Sequence, residues 1–541
     1  MQTPSNDQTS PDSISSQTEI RSEIQEDIVL RQQRRRLFPR AALVGLIAGL
    51  VAALFRAALA AGDSLRNGLI TWSHQFPWWG WIFPVAFSVA GAVIALLLVI
   101  NFAPETSGSG IPHIKGVMHR LRTMQWSRIL PIKFIAGALG ISGGLALGRE
   151  GPTVQMGGAV GDAVSSLLKA SAGERRTLIA AGAGAGLAAA FNAPLAGVIF
   201  VLEEIQRDFH PSVFGAAFLA AAISDIVVRF LSGGRPVFSV PAYSTPPLAS
   251  LPFFALLGIL AGLLGVAFNR SLLSALDGFA SLKGKWKLGG IAIVGAVVGL
   301  IGWFAPIAIG DGHVLAELVL TGGLALAVIP LYFALRFVMS ISSYASGTAG
   351  GIFAPLLALG ALLGLAIGQI AHAIAPAAVP EAAVFAVVGM AAYFAAIVRA
   401  PLTGIALIVE MTGNYQQMLP LLVACFCAYA VAELMKDLPI YEALLERDLM
   451  HRGTHVALKE PMIIDFEIEQ GAPFEGKEVR TLELPPGCIL IRCIQHGREF
   501  VPKASTRLEA HMKITAVIAP EAAESVTILY DGCKARKNGI E

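Results

Sequence analysis

Gly148-Arg149-Glu150-Gly151-Pro152 interrupts an apolar part of the chain with an ionisable carboxyl group flanked by glycine and proline. A helix that begins here presents unpaired N–H groups and the positive end of its dipole. Such a helix start binds an anion without a cationic side chain, and a carboxylate can take the place of that anion. We therefore interpret Glu150 as a gate that closes an anion path when ionised and carries a proton when neutral. The alternative is a carboxylate that only stabilises its helix, with Arg149 as its salt partner.

Two further breaks show the same order of glycine, then proline, then an apolar segment. They are Gly108-Ser109-Gly110-Ile111-Pro112 and Gly350-Gly351-Ile352-Phe353-Ala354-Pro355. Their glycines permit close approach of the backbone, and proline suits the first turn of a helix. The hydroxyl group of Ser109 adds a hydrogen-bond donor. We interpret all three breaks as anion-binding helix starts, because a buried lysine or arginine would hold an anion too tightly for rapid release.

The composition places most of the chain in lipid. Hydrophobic residues make up 55% of the 541 residues and charged residues only 14%, against about 25% charged residues in soluble domains. Apolar segments follow one another from Leu37 to Tyr441, and some, such as Phe83 to Phe102, reach the roughly 20 residues that span a bilayer. Others contain Gly or Pro, which are tolerated at membrane depth only inside protein. The sequence predicts an all-α, multi-spanning membrane protein with broken helices, and its net charge of +2 does not indicate nucleic-acid binding.

An internal repeat relates two halves of this apolar region, near 40–230 and 250–448. Ala193-Pro194-Leu195-Ala196-Gly197 recurs 207 residues later as Ala400-Pro401-Leu402-Thr403-Gly404. The further matches are Gly182 with Gly389, Glu203 with Glu410 and, at an offset of 203, Gly148, Pro152, Gly157 and Gly161 with Gly351, Pro355, Gly360 and Gly364. Repeated halves with interrupted helices are typical of transporters, whose site lies where the breaks converge.

The polar N-terminal segment, residues 1–36, is predicted to be a disordered tail. It contains no apolar core of a signal peptide. Basic residues from Arg31 to Arg40 directly precede the first apolar stretch, Ala41 to Ala61. By the positive-inside rule, the N-terminus is cytoplasmic, and the basic segment from His113 to Arg128 is expected on the same side.

The sequence changes character after about Arg447, and residues 453–541 are predicted to form a small cytoplasmic α/β domain. Short apolar or alternating runs indicate its strands at Ile463 to Ile468, Cys488 to Ile491 and Ile514 to Ile518. The domain holds Cys488, Cys493 and Cys533, which with His496 fit no common zinc spacing. We expect reduced thiols and no metal site, and both termini on the cytoplasmic side.

Taken together, the three breaks resemble the signature motifs of the CLC chloride channels and transporters. The segments Ala189 to Gly197 and Arg399 to Gly404 and the region around Tyr441 are similar to the same family, so the resemblance covers about residues 40–448. It implies a CLC-like transport domain over residues 37–448 in the plasma or inner membrane. It also implies a homodimer with one pathway per subunit, with chloride as the transported ion and no cofactor.

The resemblance implies a set of anion donors. Ser109 and Tyr441 would donate hydroxyl hydrogen bonds to the central anion, and the N–H groups of Ile352 and Phe353 would donate from another helix start. Their neighbours in the breaks, Gly108, Gly110 and Gly351, belong to the same anion-binding set. Ser109 and Tyr441 together favour chloride, because nitrate-favouring relatives tend to carry proline at the serine position and the fluoride branch lacks the tyrosine.

The resemblance also implies a proton route. Glu150 would be the external gate and proton acceptor, and Glu204 matches the internal proton-transfer glutamate of the exchanger branch. Because channels of the family typically lack that glutamate, Glu204 favours chloride/proton antiport. The alternative for Glu204 is a solvated residue at a cytoplasmic helix end. Lys133 resembles a buried lysine near the pathway, and its alternative is snorkelling to the interface.

The first break departs from the family pattern at its end. The family motif is usually followed by glutamate, whereas this chain continues with His113 and then Lys115. This departure affects the expected proton access from the cytoplasm. A histidine side chain ordinarily titrates near neutral pH, so His113 is a candidate sensor of internal pH, or else a basic loop residue.

The C-terminal domain resembles the TrkA-C type of domain. The stretches Gly476-Lys477, Leu482 to Pro485 and Arg498 to Lys503 carry this likeness. It implies a regulatory module that binds a small-molecule ligand or dimerises. The alternative is a passive cytoplasmic cap.

Three other functions compete with antiport. A passive chloride channel on the same fold would move chloride without protons. An intramembrane enzyme would use Ser346 as nucleophile and His372 as base, although the third break explains the glycine after Ser346 more simply. A solute symporter on another repeated fold would leave three anion-type helix starts unexplained. We expect a transporter rather than an enzyme.

Overall fold

The computed structural model describes residues 11–534 except 207–210, 235, 239, 242, 452–461, 483, 485, 496–497 and 520–524. The described chain divides into two compact units. The larger unit runs to Met118 and resumes over Met124–Glu446, and the smaller unit combines His119–Thr123 with the chain from Arg447 onward. The main part of the smaller unit thus begins at Arg447, where the succession of apolar segments has ended.

Helices form nearly all of the larger unit. They are α1 (Pro11–Ser73), α2 (Ile82–Phe102), α3 (Ile111–Met118), α4 (Trp126–Ser142), α5 (Glu150–Leu167), α6 (Ala172–Phe191), α7 (Pro194–Phe200), α8 (Pro211–Ser232), α9 (Leu251–Ser281), α10 (Lys285–Phe304), α11 (His313–Leu320), α12 (Ile329–Ala345), α13 (Phe353–Ile374), α14 (Val384–Val398), α15 (Pro401–Thr412), α16 (Met418–Leu434) and α17 (Ile440–His451). Eight of the described helices are long and apolar enough to cross a membrane. The shorter α3, α7 and α11 begin at glycine or proline breaks. The predicted all-α, multi-spanning fold is confirmed.

The first helix extends further toward the N-terminus than the sequence predicts. A disordered tail is predicted for residues 1–36, whereas the described backbone is helical from Pro11. The segment is rich in Glu, Gln and Arg, which have high helix propensity. It also continues directly into an apolar span, so the costly first turn of a helix need not form separately. The structure corrects the prediction from Pro11 onward, and residues 1–10 lie outside the described residues.

Matching glycines bring two helices into backbone contact in each half of the repeat. A Cβ atom on Gly157 of α5 would lie 2.1 Å from the carbonyl oxygen of Gly182 on α6. In the second half, a Cβ atom on Gly360 of α13 would lie 2.4 Å from the carbonyl oxygen of Gly389 on α14. Small residues drive such close packing of helices in membranes. The glycine matches found in the sequence therefore reflect the same helix contact made twice.

Two glutamates at matching positions of the repeat each accept hydrogen bonds from the start of a helix in the other half. The carboxylate of Glu203 accepts hydrogen bonds from Leu402 N at 3.1 Å and Thr403 N at 2.7 Å, at the start of α15. The carboxylate of Glu410, its repeat partner, accepts from the first N–H groups of α7 at 3.1 and 2.8 Å. Each carboxylate satisfies helix donors that lack a carbonyl partner. The two halves of the repeat thus stabilise each other reciprocally.

Neutralising either carboxylate of this reciprocal pair is expected to destabilise the protein. Glu203→Gln and Glu410→Gln should each cost about 1 kcal/mol, because a charged acceptor is lost at a helix start. The measurement is the melting temperature in detergent, with Glu446→Gln, an exposed carboxylate on α17, as control. Equal melting temperatures for all three variants and the wild type would contradict the stabilising role.

The smaller unit contains an antiparallel sheet and a helix. Its elements are β1 (Met462–Glu467), β2 (Cys488–Gln495), β3 (Arg498–Phe500), β4 (Lys513–Ile518) and α18 (Ser525–Cys533), with the sheet order β1-β4-β2-β3. Phe466, Leu490 and Ile514 are buried on one face, as alternating strands require. The small α/β domain and its three predicted strand regions are confirmed, and β3 is the strand that the sequence pattern did not indicate.

Candidate anion and proton site

The three breaks of the sequence meet through backbone hydrogen bonds. Gly108 N donates to Thr348 O at 2.9 Å, and Gly350 N donates to Gly108 O at 3.0 Å. Gly148 and Gly351 exchange two hydrogen bonds of 2.7 and 2.8 Å. The third break therefore lies between the other two and pairs with both. The starts of α3, α5 and α13 converge inside the bundle, as the sequence predicts.

Glycine is required where the first two breaks approach each other. A Cβ atom on Gly151 would lie 2.7 Å from the Cβ atom of Ser109. Gly108 and Gly110 have φ values of +65° and +84°, which disfavour any residue with a side chain. Ser109 is fully buried at this contact, and its Oγ accepts a hydrogen bond from Ile111 N at 3.2 Å. The glycines thus hold a buried hydroxyl group at the start of α3.

The Glu150 carboxyl group lies at two helix starts at once. Glu150 is the first residue of α5 and only 1% exposed. Its Oε2 accepts a hydrogen bond from Ala354 N, in the first turn of α13, at 3.3 Å. The N–H groups of Ile352 and Phe353 precede this donor at the same helix start, where N–H groups have no partner within the helix. The carboxylate therefore occupies a place suited to an anion.

Arg149 forms only a long ion pair with the Glu150 carboxylate. Its Nε lies 3.9 Å from Oε1 of Glu150, at the outer limit of an ion pair. The hydrogen bond to Ala354 N is shorter and belongs to another helix. The geometry favours the anion-site interpretation of Glu150 over a local salt bridge with its neighbour.

Tyr441 supplies a hydroxyl group that is free to donate. Its side chain is fully buried in the first turn of α17, and its hydroxyl has no hydrogen-bond partner among the described residues. A buried polar group without a partner is costly and requires an explanation. Tyr441 therefore has a buried hydroxyl donor to offer an anion.

Lys133 holds the backbone of the first break. Its ammonium group is fully buried and donates to the carbonyl oxygens of Thr106 at 2.9 Å and Gly108 at 2.6 Å. The side chain does not reach the membrane interface, so the snorkelling alternative is excluded. We infer that Lys133 orients the loop that carries Ser109.

Glu204 forms a buried ion pair instead of facing solvent. It lies in a π-helical turn, Val201–Gln206, which directly follows α7, and is 1% exposed. Its Oε1 lies 2.7 Å from Nζ of Lys115, which is also 1% exposed. Isolated π-helical turns are frequent at functional sites. The solvated-residue alternative for Glu204 is wrong, and the lysine that departs from the family pattern is its direct partner.

His113 contacts a polar residue of α5. It is 9% exposed, and its Nδ1 lies 3.3 Å from Nε2 of Gln155, a buried residue on α5. The amide nitrogen of Gln155 also donates to the carbonyl oxygen of Glu105 at 2.8 Å. His113 is thus a packed residue of α3 and not an exposed loop residue.

A small cavity lies beside Glu150, and its lining includes two ionisable residues that the sequence analysis missed, Asp311 and His313. Arg149, Asp311 and His313 line it together with Glu150. The fully buried Arg336 on α12 donates to two carbonyl groups of the 310–311 loop, at 2.7 and 3.0 Å. An arginine inside an apolar helix was the available signal. Arg336 thus holds the loop that lines the cavity beside Glu150.

The residues of the competing enzyme hypothesis do not meet. Ser346 Oγ donates to the carbonyl oxygen of Ser343 at 2.6 Å, and Nδ1 of His372 lies 2.7 Å from the carbonyl oxygen of Val379. Ser346 directly follows the last residue of α12, whereas His372 lies in the last turn of α13. No catalytic pair forms between them.

The cysteines of the smaller unit are core residues. Cys488, Cys493 and Cys533 are buried among apolar side chains, and burial raises the pKa of the Cys533 thiol to about 11. A thiol with a raised pKa remains protonated, whereas metals bind the thiolate. Within the described part of the chain, no three His, Cys, Asp or Glu residues are grouped to hold a metal ion. His496 lies outside the described residues.

Comparison with known proteins gives two family matches and several relatives. Residues 90–433 match the family model for voltage gated chloride channels, and residues 463–527 match the TrkA-C domain. The chain is 42% identical over 416 residues to the H(+)/Cl(-) exchange transporter ClcA of Vibrio parahaemolyticus, covering 76% of this chain and 89% of the relative. It is also 42% identical over 417 residues to the ClcA of Cronobacter sakazakii, with the same coverage.

A solved structure, described as a slow cyanobacterial Cl-/H+ antiporter, has the same architecture. It superposes with a TM-score of 0.75 at 37% identity, covering 77% of this chain and 99% of that chain. The larger family match includes the three breaks and Glu204 but ends before Tyr441. The resemblance inferred from the three breaks is confirmed.

Proposed function

Because this chain belongs to the voltage-gated chloride channel family, we propose that it exchanges chloride for protons across a membrane. The hydrogen bond from Ala354 N to the Glu150 carboxylate is the observation that carries this proposal. An ionised Glu150 competes with chloride for the donors of α13, and a protonated Glu150 releases them. One group thereby couples the two ions. The curated relatives named H(+)/Cl(-) exchange transporters support the same function.

The proposed chloride site uses neutral donors only. Ser109 and Tyr441 provide hydroxyl groups, and Ile352 and Phe353 provide backbone N–H groups. The unpaired hydroxyl of Tyr441 supports this assignment, because a transported anion would satisfy it. The buried ammonium of Lys133 is directed to carbonyl oxygens and therefore leaves the anion free to dissociate.

The proposed proton route joins Glu150 to Glu204 past Tyr441. Glu204 is buried, so it exchanges protons with the cytoplasm only through neighbouring groups. Glu150 takes the proton on the external side, and it lines a cavity together with Asp311. The two carboxyl groups carry protons at opposite ends of the chloride site.

The orientation and assembly of the protein complete the proposal. The basic residues before the first span support a cytoplasmic N-terminus, and with it a cytoplasmic C-terminal domain. Family resemblance supports a homodimer with one pathway in each subunit. The TrkA-C match supports a regulatory domain that responds to a small-molecule ligand.

The test is proton uptake by proteoliposomes under a chloride gradient with the membrane voltage clamped. We expect chloride moving down its gradient to drive protons uphill in the opposite direction. Chloride movement without proton movement would contradict antiport and would favour a passive channel on the same fold. Neither ion moving, with correctly folded protein, would contradict chloride transport altogether.

A further inference from the structure

Two carboxyl groups contact a single buried ammonium group on the larger unit. Nζ of Lys115 lies 2.7 Å from Oε1 of Glu204 and 3.5 Å from Oε1 of Glu442. These residues come from α3, the π-helical turn after α7, and α17. Glu204 and Glu442 are 89 and 327 residues from Lys115 along the chain, so only the fold brings the three groups together.

The three groups differ sharply in their access to solvent. The side chains of Lys115 and Glu204 are 2% and 1% exposed, whereas that of Glu442 is 30% exposed. A proton from solvent therefore reaches Glu442 first. Glu442 also directly follows Tyr441, so the same helix start carries the proposed chloride donor and the exposed carboxyl group.

The charge of this cluster suits the loading of one proton. One ammonium and two carboxylates sum to a single negative charge, and one added proton makes the cluster neutral. A buried lysine left without a carboxylate is costly, so Lys115 keeps at least one of the two partners ionised. The cluster therefore takes up one proton at a time and keeps its cation paired.

We propose that Glu442 is the cytoplasmic entry residue for the transported proton and that Lys115 is the positioning residue that holds Glu442 and Glu204 together. The inference rests on the proposed antiport function. Hydronium protonates the Glu442 carboxylate and leaves water. The proton then passes from the Glu442 carboxyl group to the Glu204 carboxylate, which becomes the acid while Glu442 is ionised again. Lys115 retains its three protons throughout and moves its stronger hydrogen bond to whichever carboxylate is ionised.

Other charged groups near α3 have different partners. His113, on the same helix, contacts Gln155. Asp162, on the neighbouring α5, is paired with Arg175 at 2.6 Å. The ammonium of Lys115 pairs with Glu204 and Glu442, and the route runs through these two carboxyl groups.

The test measures chloride and proton fluxes separately in proteoliposomes, and with them the reversal potential under a fixed pair of gradients. Glu442→Gln should retain chloride flux, lower proton flux about tenfold or more, and shift the reversal potential toward that of chloride alone. Glu446→Gln, an exposed carboxylate one turn further along α17, is the matched control and should retain coupling.

Two variants of Lys115 test its positioning role. Lys115→Arg keeps a cation between the carboxylates and should retain proton flux, whereas Lys115→Met should lose it with chloride flux remaining. If Lys115→Met does not fold, Lys115→Arg and Glu442→Gln still decide the inference. Wild-type coupling with an unchanged reversal potential in Glu442→Gln would overturn the entry role alone. If the wild-type protein moves chloride without coupled protons, the proposed function is overturned, and this inference with it.

Discussion

Proton movement is expected to fall to the background of protein-free liposomes, and chloride movement to continue, when Glu150 is replaced by glutamine. Glutamine has nearly the same shape as a protonated glutamic acid, and its amide oxygen can still accept from Ala354 N. It carries no negative charge to compete with chloride and no proton to release. The variant therefore fixes the gate in the state that admits an anion.

Glu174→Gln provides the matched control for this experiment. Glu174 also lies in the first turn of a helix, α6, where it forms a capping box with Ser171 and a 2.9 Å ion pair with Arg40. It is an ordinary N-terminal carboxylate that belongs to none of the three breaks. Its replacement should leave chloride and proton fluxes coupled as in the wild type.

The two variants together separate a gate from a helix-stabilising carboxylate. If both lose coupling equally, the effect comes from helix destabilisation and not from the anion site. If Glu150→Gln retains proton flux, Glu150 is not the proton acceptor. Measured fluxes should be normalised to folded protein, so that a loss of expression is not taken for a loss of coupling.

The convergence of the three breaks was predictable because the chemistry of each break is local in the sequence. Each break combines glycine and proline within five or six residues, and helix starts bind anions through backbone groups that every residue carries. The glycine matches of the repeat also predicted real contacts, since Gly157 with Gly182 and Gly360 with Gly389 make the same packing twice. Local backbone requirements leave a strong sequence signal.

The partners of Glu204 were not predictable because they depend on distances across the fold. Lys115 appeared in the sequence only as a departure from the family pattern, and Glu442 gave no signal beyond following Tyr441. Side-chain ion pairs have no required spacing along the chain. Only the convergence of α3, α17 and the turn after α7 brings these groups together.

Glu204→Gln is expected to abolish proton movement and to leave chloride movement largely intact. The amide cannot accept and pass on a proton, while its oxygen can still accept a hydrogen bond from Lys115. Chloride donors are unaffected, because Glu204 is not one of the proposed anion ligands. The measurement is again the separate flux of each ion under a chloride gradient at clamped voltage.

Glu203→Gln is a demanding control, because it changes the adjacent residue of the same π-helical turn. Glu203 accepts hydrogen bonds from the start of α15, so its loss should lower stability without interrupting proton transfer. Coupling retained in Glu203→Gln but lost in Glu204→Gln would show that the position of the carboxyl group matters, and not the charge of the turn.

The chloride flux of Glu204→Gln shows whether this variant is still folded, which must be checked because the substitution breaks a buried ion pair. The substitution leaves the ammonium of Lys115 with Glu442 as its remaining carboxylate, at 3.5 Å. An undercompensated buried charge destabilises a protein strongly, and unfolding would remove both fluxes together. Selective loss of proton flux therefore identifies a proton carrier, whereas unchanged proton flux would show that protons reach Glu150 by a route that avoids Glu204.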